Sequence, residues 1–312
     1  MNQKPFFLTI LLLVSVTVSA CGPSAGPTPT VAAEISSAAP AATPTAVSIA
    51  GPTVEPTVEP TIVPTATSAP TPAPGEILVS ATDGMEMAYV PSGDFSMGSL
   101  AGTMDEQPVH DVYLDAYWID RTEVTNGMYS QCVQAGACLK PYNQSNTHFN
   151  YYPDPQFANY PVIDLKWSST GKYCAWAGRR LPTEAEWEKA ARGTDGRTYT
   201  WGNALPNNSL LNFNNPVGDT VLVGSYPKGA SPYGALDLAG NVMEWVADWY
   251  DASYYTASPD SNPTGPADGQ YKVLRGGSWH SDVYTVRSAD RHYREPDTRD
   301  IVIGFRCALT AP

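Results

Sequence analysis

"PVIDLKWSSTGKYCAWAGRRLPTEAEWEKAARG", residues 161–193, encodes two helices in succession with a sharp turn between them. In its second half Thr183 and Glu186 form a T-x-x-E capping box, which satisfies two N–H groups left open at a helix start. Glu184 and Glu186 fall in the first turn and Arg192 in the last, each at the end of the helix dipole that favours its charge. Gly193 supplies the stop. The first half predicts a shorter helix, capped by Ser168 or Ser169 and ended by Gly178. A third helix is expected in "TNGMYSQCVQAG", residues 125–136, where Thr125 caps, Met128, Cys132 and Val133 share a face, and Gly136 terminates.

Short strands are expected within "EMAYVPSGDFSMG" (86–98), "VHDVYLDAYWID" (109–120), "KVLRGGSW" (272–279) and "IGFRCAL" (303–309). Between Thr194 and Asp237 no period persists, and Asn, Gly and Pro separate brief apolar runs. Loops of that length in a compact domain are functional or are held by something. The fold class is α+β: a single domain over residues 76–312, with short strands, a few helices and long ordered loops. Its length suffices for a substantial core.

The chain ahead of this domain is of another kind. Lys4 is followed by the apolar run "FFLTILLLVSVTV" and then by "VSAC", which ends at Cys21. This is the pattern of a bacterial lipoprotein signal over residues 1–20, with Cys21 as the lipidated residue. Residues 21–75 hold 12 of the chain's 29 prolines and repeat "PTVEPTVEPT". Pro, Thr and Ala without aromatic residues bury too little surface to offset chain entropy, which predicts a disordered tether. Extended as polyproline II, it would reach on the order of 150 Å. Nothing downstream is apolar and long enough for a transmembrane helix. The expected location is the bacterial cell envelope, lipid-anchored to the outer face of the membrane.

Of 18 basic residues only Lys4 precedes the domain, and of 31 acidic ones only Glu34, Glu55 and Glu59, which leaves 17 against 28 within it. That surplus excludes nucleic acid as a natural partner and suits cations or basic protein surfaces. The chain's 8 tryptophans and 18 tyrosines concentrate in the domain, as a binding surface or as core filler among loops.

Six stretches, "YVPSGDFSMGS", "YWIDRTEVTNGMY", the opening segment, "YGALDLAGNVMEWVADWY", "VLRGGSW" and "IGFRCA", resemble the sulfatase-modifying-factor family, whose founding activity is that of the formylglycine-generating enzyme. They run in order from about Met85 to Ala308, nearly the whole domain. The resemblance implies a fold related to C-type lectins. It also implies an active site in which two cysteines after Gly-Gly-Ser bind copper(I) and convert a cysteine of an unfolded sulfatase segment to formylglycine. Copper(I) selects such soft sulfur ligands. Here "RGGSWHSDVYTVRSADR", residues 275–291, keeps Ser278 but has Ser281 at the first cysteine position. The second falls on Val286 counting forward, or slides toward Val283 counting back from Arg291, and no cysteine lies between Cys174 and Cys307. The family's pocket tryptophan is replaced by Met243. Copper is therefore not expected, and no catalytic role is assigned to Ser278, Ser281 or Met243. His280, Asp282 and His292 have residue types that hold non-haem iron, but at loose spacing, and surface hydrogen bonding accounts for them better.

The resemblance implies a structural calcium held by the side chains of Asp237 and Glu244 and the carbonyls of Gly240 and Val242. A second would use Asn212 and the Phe213 carbonyl, completed by Asp219 and Val221. All-oxygen sets with carboxylates suit calcium. It further implies a Cys174–Cys307 disulfide, which leaves Cys132 and Cys138 to pair locally in an exported, oxidising setting. The expected function is a non-catalytic binding module for a protein, peptide or glycan. The alternative is a protein-modifying oxidase that uses residues other than cysteine.

Overall fold

The computed structural model describes residues 71–142 and 144–312; the expected signal, Cys21 and nearly all of the tether lie outside the described residues. In chain order the elements are β1 (Ile77–Val79), β2 (Glu86–Val90), β3 (Gly93–Met97), β4 (His110–Leu114), β5 (Tyr117–Asp120), α1 (Asn126–Gln134), α2 (Trp167–Trp176), α3 (Glu184–Arg192), β6 (Met243–Trp249), β7 (Lys272–Arg275), β8 (His292–Arg294), β9 (Ile303–Phe305) and β10 (Ala308–Thr310). Short strands, three helices and long loops make the α+β architecture that the sequence predicts. No helix among the described residues is long and apolar enough to cross a membrane.

The strands form an antiparallel sheet β1-β2-β5-β10, a β3-β4 hairpin and a sheet β8-β7-β6-β9. In the last, β6 pairs antiparallel with β7 and parallel with β9. α3 has the expected ends: Thr183 accepts from the Glu186 N–H, Glu186 returns to the Thr183 N–H, and Gly193 closes the helix at φ 67°. α1 likewise starts on the Thr125 hydroxyl. α2 does not start as expected. It begins at Trp167, with Lys166 as a cap that makes no side-chain bond, so Ser168 and Ser169 lie inside the first turn. At this start Trp167 donates its main-chain N–H to the Pro296 carbonyl and its indole N–H to the Val246 carbonyl of β6, so tertiary bonds hold the first turn.

One large apolar cluster gathers Met87, Tyr129, Cys174, Met243, Trp245 and Phe305, and a second gathers Phe95, Tyr117, Ile119, Trp187, Val246 and Val273. Both implied disulfides are present: Cys174–Cys307 joins α2 to the segment between β9 and β10, and Cys132–Cys138 closes the turn after α1. Ion clusters are buried between these layers. Arg179 lies between Asp83 and Asp120, Arg287 meets Glu106, and Arg275 and Arg291 flank the Glu184 and Glu188 carboxylates of α3. Removing one partner from such a pair leaves an uncompensated charge, at a cost of about 3–5 kcal/mol. The Arg275 and Arg291 pairs therefore tie the 275–291 loop to α3.

Candidate functional site

Arg275 ends β7 and is fully buried. Its guanidinium donates to Glu188 and to the Ser288, Ala289 and Asp290 carbonyls, so it holds the far arm of the 275–291 loop. Gly276 and Gly277 follow at φ 91° and 67°. A Cβ on Gly277 would lie 2.6 Å from the Thr285 carbonyl oxygen, and one on Gly276 3.0 Å from the Trp187 ring. Packing alone thus demands the Arg-Gly-Gly frame.

Within that loop Ser278 and Ser281 close a turn on each other. The Ser278 N–H donates to Ser281 Oγ at 2.9 Å, the Ser281 N–H donates to the Ser278 carbonyl at 3.0 Å, and the two hydroxyl oxygens are 3.4 Å apart. Asn214 and Asn215 donate main-chain N–H groups to the Ser281 and Trp279 carbonyls. Val286 is fully buried among Tyr199, Leu211, Phe213 and Ala239, and Val283 packs against the same cluster. Whichever count places the second cysteine position, it is occupied by apolar packing. Met243 belongs to the main core cluster instead. His280 is exposed, Asp282 accepts from the Tyr284 and Thr285 N–H groups, and His292 rests on Asp290. These residues do not converge. Four surface cavities stand out, and none is lined by Ser278, Ser281 or Met243.

The expected calcium residues lie deeper. Asp237, Gly240 and Asn241 all have left-handed φ (56°, 77° and 58°), which curls the chain tightly. Gly240 is required there, because a Cβ would stand 2.3 Å from the Asn212 carbonyl. Asp237 accepts from the Gly224 N–H at 2.6 Å. Both Glu244 oxygens are taken up, by a bidentate Arg306 at 2.7 Å and by the Trp187 indole N–H at 2.8 Å. Glu123, between β5 and α1, stands beside them and is a residue that sequence reasoning passed over. It is fully buried; Oε1 accepts from Asn241 Nδ2 at 3.0 Å, while Oε2 meets no N–H donor among the described residues, and the Asp237 carboxyl beside it is close enough to share a proton. Its sequence signal was weak: "DRTEVT", residues 120–125, is polar around Glu123, and nothing local marks that carboxylate as buried.

Burial, then the nearby charges of Asp237 and Glu244, push the Glu123 carboxyl well above its usual range. Burial also raises Asp237, opposed by the Gly224 N–H and by Arg306. The pocket thus holds three carboxyl groups against one guanidinium. Such a surplus in a dry setting needs a proton or a cation. The donor set fits a hard cation, with the open Glu123 oxygen as its clearest acceptor. No three His, Cys, Asp or Glu side chains among the described residues are arranged by themselves to hold a metal, so carbonyl oxygens would have to complete the set.

The other expected group is arranged differently. Asn212 Oδ1 is buried without a hydrogen-bond partner among the described residues, and its amide donates to the Asp219 carbonyl at 2.9 Å. The Asp219 carboxylate is taken by Ser145, Thr147 and Thr220. Burial works against its ionised form, but the hydrogen bonds from Ser145 and Thr147 prevail and its pKa is lowered. Phe213 packs in the cluster around Val286, and Val221 exchanges main-chain bonds with the Asn241 side chain. Asn241 therefore links both groups of residues.

The sulfatase-modifying factor enzyme 1-like domain family matches residues 76–311. The chain belongs to the sulfatase-modifying factor family. It is 34% identical over 280 residues to a formylglycine-generating enzyme of Streptomyces coelicolor, covering 71% of this chain and 88% of that one. It is 37% identical over 237 residues to the serine/threonine-protein kinase pkn1 of Chlamydia caviae, covering 72% of this chain. The match spans only 38% of that kinase's length. Among solved structures, PvdO from Pseudomonas aeruginosa is similar with a TM-score of 0.66 and 26% identity, covering 77% of this chain and 100% of that one.

Proposed function

We propose that this family member is a non-catalytic binding module for a protein, peptide or glycan, stabilised by calcium and tethered to the bacterial envelope through lipid on Cys21. One observation carries the reading: where the family has its copper-binding thiolates stand Ser281, locked in a turn with Ser278, and an apolar residue, either Val286 buried in a cluster or Val283 packed against it. The domain's four cysteines are all in disulfides, so none supplies a thiolate in their place. The retained Arg275-Gly-Gly frame, the main ground for an oxidase, is accounted for by packing.

Calcium would be held by Asp237 and Glu123, with Glu244 and the Gly240 and Val242 carbonyls around it. When bound, it would neutralise the surplus charge of this buried cluster. Similarity to part of a kinase as well as to stand-alone enzymes supports a domain that is used as a module.

Anaerobic titration of the purified chain with copper(I) against a competing chelator tests the site. No copper retained is the expected result, and tight one-to-one retention would contradict it. The tether is tested by fractionating cells that make Cys21→Ala behind a signal without a lipidation site. Release of a folded protein is expected, and persistent membrane binding would overturn the anchor.

A further inference from the structure

A cavity of about 570 Å³ opens between α2, the start of α3, β10 and the loop at residues 262–264. Its volume falls in the range of ligand sites, roughly 300–1,000 Å³. Trp167, Gly171 and Ala175 line it from successive turns of one α2 face, and Ala116 and Ala247 extend the floor. Apart from Trp167 these residues are small, and the trough is open at Gly171, where a Cβ would meet nothing within 4 Å. The Trp167 indole is fixed on its far side by Val246 and by Lys272, whose ammonium lies 4.0 Å from the ring.

The rim is polar, and its charge is unbalanced. Arg180 is neutralised by a bidentate pair with Glu186, at 2.6 Å for both bonds. Arg179 is spent on Asp83 and Asp120. Asp115 is exposed and bonded only to Asn262 at 3.0 Å, with no cation beside it among the described residues. The domain's excess of 28 acidic over 17 basic residues adds to this field.

One edge of a strand also faces the cavity. Cys307 accepts from the Asp120 N–H and the Ala311 N–H donates to Ala116, so the odd-numbered residues of β10 point their main-chain groups at β5. Ala308 and Thr310 therefore point the other way. Ala308 exchanges both main-chain bonds with Arg180, whose side chain also donates to the Thr310 hydroxyl at 3.2 Å, so the main-chain N–H and C=O of the single residue Thr310 are what this edge offers. Thr310 lines the cavity.

We propose that this cavity, and not the family's cysteine-bearing loop, binds an extended basic peptide segment. A bulky apolar side chain fills the trough, a neighbouring Lys or Arg meets Asp115, and the segment's main chain adds to the Thr310 edge. An open strand edge beside a side-chain pocket is the recurring geometry of strand-addition recognition. The assignment rests on the binding-module reading and names its ligand class.

Fluorescein-labelled octapeptides test it on the full chain in detergent, each with one Leu, Phe or Trp flanked by Lys or by Glu in a Thr/Ser background. Lys-flanked peptides are expected to bind about tenfold or more tightly than Glu-flanked ones, with a preference that salt erodes. Gly171→Leu fills the trough from a helical position with better propensity than glycine, so it folds and weakens binding by about tenfold or more. Asp115→Asn is expected to abolish the Lys preference, and His280→Ala to leave binding unchanged. Undiminished binding to Gly171→Leu would overturn the cavity as the site, and failure of every peptide to bind would overturn the peptide assignment even if an apolar dye still enters. Loss of binding in His280→Ala with Gly171→Leu unaffected would keep the module reading and move its site to the family's loop. Oxidation of a cysteine placed in the peptide, read by mass spectrometry, would instead remove the module reading.

Discussion

Glu123 stands fully buried with one carboxylate oxygen that meets no N–H donor among the described residues, beside the Asp237 and Glu244 carboxyls and a single guanidinium, Arg306. The raised carboxyls mean that, without a cation, the folded cluster binds protons that the unfolded chain has lost. Its contribution is then greatest below the ordinary carboxylate range and is lost as pH rises through the raised values. Calcium opposes that loss, so its stabilisation should grow with pH. At a hundredfold excess over the dissociation constant the gain is about 2.7 kcal/mol. Melting temperatures in calcium and in chelator, from mildly acid to mildly alkaline pH, should diverge as pH rises. Glu123→Gln should close most of that gap by removing the open acceptor. Identical melting temperatures at every pH would dismiss the site. The family resemblance pointed to Glu244 together with Asp237, but a guanidinium and an indole already engage Glu244, and a motif match along a chain does not reveal such partners.

Among the elements, those whose signals are local were legible. α3 has its capping box, its charged turns and its terminal glycine within ten residues, and it forms as written. β6 was missed because it has no local signal. It is buried nearly throughout, and a bulge between Trp245 and Trp249 breaks the alternation by which a strand is recognised. β1 shows three exposed apolar residues and no alternation, so only its pairing with β2 defines it. The start of α2 was misplaced because it is held by tertiary bonds from Trp167, which the local sequence does not show, and not by a serine cap. Two disulfides act at this scale with unequal weight. Cys174–Cys307 closes a separation of 133 residues and is worth about 5 kcal/mol in the chain-entropy model, as an upper figure. Cys132–Cys138 closes 6 and is worth about 2 kcal/mol. Denaturant unfolding of the two paired Cys→Ala variants should show the long link costing more. Equal losses would place its value in local packing instead of chain restraint.

At the scale of the molecule, the chain keeps the family's scaffold while the loop that bears the family's chemistry has become part of its packing. The absent thiols were legible from the sequence alone. The reason for the intact frame around them was not, because only the fold shows Arg275 gripping the 288–290 carbonyls and Gly277 against Thr285. The same holds for the acidic surplus, which was countable, whereas the trough beside Asp115 required α2, β10 and the 262–264 loop to be brought together. The most direct test of the central claim is mass spectrometry of a sulfatase-type cysteine peptide incubated with the purified chain, oxygen and a reductant, with and without copper(I). The account predicts an unchanged thiol under every condition, and the same for Ser281→Cys, which supplies one sulfur ligand and leaves Val286 in the core. Copper-dependent conversion of that cysteine to formylglycine by the natural chain would contradict it.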